Sequence, residues 1–125
     1  KEIGWHPVAL TGEGKARAVF DGFPDIFPAF HWHGDTFALP EGAVHAARSE
    51  GCANQAFVYK ERVVGLQLHL ETTAKSMDTI IKHCKADITD GPFVQDAKTM
   101  RAGKDALAMM GPLCVKLLDN LEKLG

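Results

Sequence analysis

Apolar and polar positions follow two different periods along the chain, short and strand-like before Glu71 and helical after it. Ile3–Leu10 (IGWHPVAL) is short, apolar and partly alternating, which predicts a strand, and Thr11–Gly14 (TGEG) supplies a turn after it. Phe20–Pro28 (FDGFPDIFP) holds two prolines and a glycine, a composition that excludes a long helix and predicts a loop with one short turn. Ala29–Trp32 (AFHW) reads as a buried strand ending at His33-Gly34-Asp35, and Thr36–Gly42 as a loop closed by Pro40. Val44–Arg48 suits a strand or a helix. Asn54–Tyr59 (NQAFVY) and Val63–His69 (VVGLQLH) predict two strands, with the charged Lys60-Glu61-Arg62 joining them as a hairpin.

Beyond Glu71, Ala74, Met77, Ile80, Ile81 and Cys84 recur at helical spacing, with Thr72 or Thr73 as the N-cap. A second helical stretch runs from about Ala97 to Leu124, with Leu107, Met110, Cys114, Leu117, Leu121 and Leu124 on one stripe and Gly111-Pro112 placed to kink or break it. The expected fold is α/β, strands first and helices last, without repeat or linker.

Composition narrows the function classes. The 125 residues make about one small domain, 46% hydrophobic and 24% charged, as in ordinary globular proteins. A formal charge of −2 and a pI near 6.3 give no electrostatic case for nucleic acid or an anionic membrane. No apolar run approaches the roughly 20 residues that cross a bilayer, and Lys1–Leu10 lacks the order of a signal peptide. The absence of a starting Met suggests that the chain begins inside a longer protein. Cys52, Cys84 and Cys114 are odd in number, widely spaced and without a CxxC pair, which favours reduced thiols in a cytoplasmic protein.

Two clusters could carry chemistry. His69 and Glu71, two residues apart at the end of a predicted strand, point to one side while Leu70 points to the other. A carboxylate there can fix an imidazole's tautomer and stabilise its cation, the task of the third member of a catalytic triad. The same spacing also describes a plain surface pair, and the two residues by themselves do not separate these readings. His31 and His33 flank Trp32 and could face a metal together, with His69 or Asp35 as a third ligand. A strand ending in a glycine turn capped by Asp35 accounts for them more simply. Cys84 and Cys114 sit on apolar helical stripes. Cys52 follows a single glycine in a polar loop with no helix after it, unlike a nucleophile raised on a strand-to-helix elbow. His6, His45 and His83 have no evident partners.

Phe30–Pro40 (FHWHGDTFALP), Asn54–Phe57 (NQAF) and Gly65–Glu71 (GLQLHLE), in that order, resemble class I glutamine amidotransferase domains, above all the stand-alone members similar to GMP synthase. Glu2–Val8 (EIGWHPV) is similar to the strand that follows the nucleophile helix in that family. The likeness covers Glu2 to about Thr72, and the C-terminal helices match only in general character. It implies a flavodoxin-like α/β fold and a Cys-His-Glu triad, with His69 as general base and acid and Glu71 orienting it. The His33-Gly34 turn then lines the glutamine pocket.

The resemblance also implies what is missing. The family's cysteine lies upstream in a GxCxGxQ elbow that also supplies oxyanion-hole amides, and nothing here matches it. Residues 1–125 are thus expected to be the C-terminal half of such a domain, inactive alone. The expected partners are L-glutamine or a γ-glutamyl compound, and either the N-terminal half or a second copy. No cofactor and no metal enter this chemistry. A γ-glutamyl hydrolase of the same fold would use the same triad, and a non-catalytic binding module would keep the pair without using it.

Overall fold

The computed structural model describes residues 1–124. Five strands come first: β1 (Glu2–Leu10), β2 (Ile26–His33), β3 (Val44–Arg48), β4 (Ala56–Tyr59) and β5 (Val63–Leu66). Between β1 and β2 lie a single helical turn, α1 (Gly12–Lys15), and a 3-10 turn at Ala18–Phe20. The helices α2 (Ala74–His83), α3 (Ala97–Arg101) and α4 (Lys104–Leu124) follow. The order of strands before helices is the one the hydrophobic periods predict.

The strands form one antiparallel sheet in the order β2-β1-β3-β4-β5. In β1 the Leu10 N–H donates to Asp25 O, and by alternation residues 8, 6 and 4 turn to β2 while 7, 5 and 3 turn away. The outward groups find other partners. Ile3 exchanges hydrogen bonds with the Phe93–Gln95 segment, donating to Phe93 O and accepting from Gln95 N–H. The Gln95 amide brackets Trp5, accepting from its N–H at 2.9 Å and donating to its carbonyl at 3.0 Å. Gly4 makes this possible: its φ is +108°, and a Cβ there would collide with the Gln95 side chain.

Pro7 lies opposite Pro28, and β2 therefore starts at Ile26, inside the segment expected to be a loop. Both prolines occupy non-hydrogen-bonded positions, so neither removes a bond from the ladder, and β2 is an edge strand. The ambiguous Val44–Arg48 is a strand. Thr11–Gly14 is not a bare turn: the Thr11 side chain accepts from Gly14 N–H and starts α1. The hairpin between β4 and β5 turns through left-handed Lys60 (φ 52°) and Glu61 (φ 65°), without the glycine or asparagine that usually relieves such a turn.

Helix α2 begins at a capping box, Thr73 with Ser76, and buries Met77 and Ile81. The break in the C-terminal helical stretch falls at Ala102-Gly103, and α4 is continuous through Gly111-Pro112. Tertiary contact decides this. The Trp5 indole N–H donates to Met100 O at 3.0 Å, at the end of α3, and it lies where a Cβ on Gly103 would be. Leu113 and Leu117 bury against the core, and Asn120 ties α4 to the turn after Val19 by donating to Val19 O at 2.9 Å and Asp21 O at 3.0 Å. The rest of the core includes Val8, Phe20, Phe27, Phe30, Val58, Leu68 and Leu70 together with Ile3, Met100 and Met110.

Candidate functional site

The chain leaves β5 at Leu66, three residues before the expected strand end, and bends toward the opposite edge of the curled sheet. Phe30 is a non-hydrogen-bonded partner of Trp5, so its carbonyl points outward from the β2 edge and accepts the His69 N–H at 2.9 Å. Leu68 and Leu70 drop into the core on either side, which turns His69 and Glu71 to the same outer face.

His69 Nδ1 lies 2.8 Å from Glu71 Oε1, and the two side chains are 41% and 68% exposed. Donation from Nδ1–H to the carboxylate leaves Nε2 as the bare, basic nitrogen. The Thr72 hydroxyl donates to His69 O at 3.1 Å and pins the turn. The pair opens into a cavity of about 330 Å³ shared with Phe30, Thr72, Thr73, Ser76 and Ile80. This arrangement can hold an oriented base beside an apolar wall.

His33 and Gly34 line a different cavity, of about 290 Å³, with Asp35, Thr36, Cys52 and Asn54. The structure therefore does not bring His33-Gly34 into the cavity of His69 and Glu71. Cys52 is not brought to His69 either: its Sγ lies 3.3 Å from Thr36 Oγ1 and 3.8 Å from Asn54 O. All three cysteines are free.

The metal set considered from the sequence, His31 and His33 with His69, does not assemble. His31 and His33 do share a face, and their third partner is Glu2, which lies opposite His33 in the β1–β2 register. Glu2 is 1% exposed, and His31 is fully buried. Glu2 Oε1 accepts from His33 Nε2 at 2.9 Å and from the Gln55 amide, and Oε2 accepts from Ser49 Oγ at 2.6 Å. Burial by itself would raise the Glu2 pKa, but the hydrogen bonds from His33 and Ser49 and the charges of the two imidazoles outweigh it and lower it to about 2. Burial pushes His31 down to about 4 against the pull of Glu2, so it is neutral at pH 7. Gln67 donates to Asp35 O and lies 3.1 Å from His33 Nδ1, which links this cluster to the segment carrying His69. Sequence reasoning missed Glu2. The available signal was a carboxylate among the apolar residues of a strand, where burial demands partners.

A sequence model of the family described as "Glutamine amidotransferase class-I" matches residues 2–86. The glutamine amidotransferase-like protein YfeJ of Salmonella typhimurium is 33% identical over 105 residues, covering 82% of this chain and 44% of its own length. Among solved structures, a glutamine amidotransferase from Methylobacillus flagellatus aligns with a TM-score of 0.85 at 28% identity, over 98% of this chain and 52% of that one. One from Thermotoga maritima aligns with a TM-score of 0.79 at 33% identity, over 97% and 50%. The chain thus spans about half the length of the relatives it matches.

Proposed function

The chain belongs to the class I glutamine amidotransferase family and has the C-terminal part of its flavodoxin-like α/β fold, and from that premise we propose that it supplies the histidine and glutamate of a Cys-His-Glu triad. The observation that carries this is the 2.8 Å contact between His69 Nδ1 and Glu71 Oε1 at the mouth of a cavity with an apolar wall. The cysteine belongs to an upstream half. His69 Nε2 takes the proton of its thiol, the thiolate attacks the side-chain amide carbon of L-glutamine, and Nε2 then passes that proton to the leaving ammonia. A glutamyl thioester remains, and water activated by the same nitrogen hydrolyses it to glutamate and free thiol. Glu71 holds the imidazole's tautomer and stabilises its protonated form between these steps.

On this reading His33-Gly34 contributes to the glutamine pocket once the upstream half closes over both cavities, and the chain alone is inactive. The same half would cover apolar side chains that now face solvent, among them Ile26, Met109, Val115 and Leu118, each about 60% exposed. A second copy of the chain is the other candidate partner, and light scattering separates the two. Ammonia release from glutamine should be absent for the chain alone and appear on addition of the separately produced upstream half. Turnover by the chain alone, abolished by Cys52→Ala, would overturn the proposal. Assaying γ-glutamyl peptides beside glutamine identifies the leaving group.

A further inference from the structure

We propose that Glu2, His31 and His33 form a binding site for a first-row divalent cation, zinc above all. The inference does not rest on the glutaminase reading, with which it shares His33 but neither His69 nor Glu71.

The geometry points there first. One ligand atom from each residue lies within 4.8 Å of the others. Glu2 Oε1 is 2.9 Å from His33 Nε2 and 3.7 Å from His31 Nδ1. A tetrahedral zinc with bonds of about 2.0–2.1 Å holds its donors about 3.3 Å apart, between these two separations. Two imidazoles and a carboxylate are a donor set that zinc accepts readily.

The tautomer of His31 supplies an independent argument. Its Nε2 lies 2.9 Å from His6 O, and a carbonyl only accepts, so Nε2 carries the proton. In the neutral ring Nδ1 then presents a bare lone pair. That nitrogen is fully buried, has no hydrogen-bond partner, and faces a carboxylate oxygen that is also an acceptor. Two acceptors turned toward each other in a dry interior repel unless a cation lies between them. The Gln55 carbonyl oxygen is a second buried, unpartnered acceptor beside the cluster. A half-turn of its amide offers that oxygen as a fourth ligand.

Each ligand is also held from behind, as metal ligands usually are. His31 donates to His6 O, Ser49 donates to the far oxygen of Glu2, and His33 Nδ1 lies 3.1 Å from Asp35 O. Without metal His33 Nε2 donates to Glu2 Oε1; with the ion bound, the ring's proton moves to Nδ1, where Asp35 O accepts it, and Nε2 turns its lone pair to the ion. The site would clamp the start of β1 to the end of β2, the place where the His33-Gly34 turn begins.

The test uses the whole chain, stripped with a chelator and dialysed against zinc chloride, with bound metal counted by mass spectrometry. One zinc per chain is expected, with affinity at least tenfold weaker in His31→Ala and unchanged in His69→Ala. X-ray absorption at the zinc edge of the unmutated chain should show two imidazoles and oxygen donors, and this readout stands even if His31→Ala fails to fold. No zinc above background, full retention by a folded His31→Ala, or a spectrum without imidazole would each overturn the proposal.

Discussion

The backbone N–H of His69 donates to the carbonyl of Phe30 at 2.9 Å, and this one bond carries the chain from the last strand to the far edge of the sheet. It places the backbone of the proposed catalytic residue, and the contact with Glu71 then orients the ring. Its energetic signature is local protection. The His69 amide should exchange with solvent at least tenfold more slowly than that of Glu71, measured by hydrogen exchange and NMR. Equal rates would mean that the bridge does not persist in solution.

Glu71 should matter to chemistry and not to stability. The His69–Glu71 pair is largely exposed, and an exposed pair contributes about 0–1 kcal/mol. In the assembly with the upstream half, Glu71→Gln should lower kcat by about 10²–10⁴-fold through loss of the oriented tautomer. The melting temperature should stay within a degree or two. A variant with intact kcat would remove Glu71 from the triad.

Asn120→Ala should cost about 1–3 kcal/mol in urea denaturation, because two carbonyls, Val19 O and Asp21 O, lose their buried donor. A change below about 0.5 kcal/mol would mean that water replaces the amide without penalty.

Gly103→Ala should destabilise by a similar amount, about 1–3 kcal/mol, since the added methyl meets the Trp5 indole. The indole must leave Met100 O to make room, so tryptophan emission should shift to longer wavelength. Unchanged emission would place the adjustment elsewhere.

Acid should unfold the metal-free chain in two limbs. His31 has its pKa lowered from 6.5 to about 4 and Glu2 from 4.5 to about 2, so for both groups the unfolded state takes up protons first. Stability is therefore complete above about pH 6.5. It falls as His31 is challenged between 6.5 and 4, and falls further as Glu2 is challenged between 4.5 and 2. With chelator present, urea denaturation should show a loss on the order of 3 kcal/mol between pH 7 and 4. A flat profile over that range would contradict the burial of a neutral His31.

The parts of the fold legible in the sequence are those set by local rules. Val63 opposite Tyr59, the Thr73 cap and the alternation that puts Leu68 and Leu70 inside all follow from period and capping chemistry. What sequence misplaced was set by distant contacts. Pro28 enters a strand because its partner is Pro7 at an edge, and the helix breaks at Gly103 because Trp5 occupies that space. The same division holds at the sites. The spacing of His69 and Glu71 announced their contact, whereas Glu2 joins His31 and His33 only through a strand register spanning some thirty residues.

The outer hydrogen bonds of the first strand are closed by Gln95, a residue 90 positions later. During synthesis Trp5 leaves the ribosome 90 residues ahead of Gln95, and its backbone must wait for that stretch before the bracket exists. The nascent strand therefore spends the wait with an open edge, the condition in which strands pair with neighbouring copies. Loop closure over such a separation is slow, so refolding should be rate-limited by docking of the Phe93–Gln95 segment rather than by formation of the local hairpin.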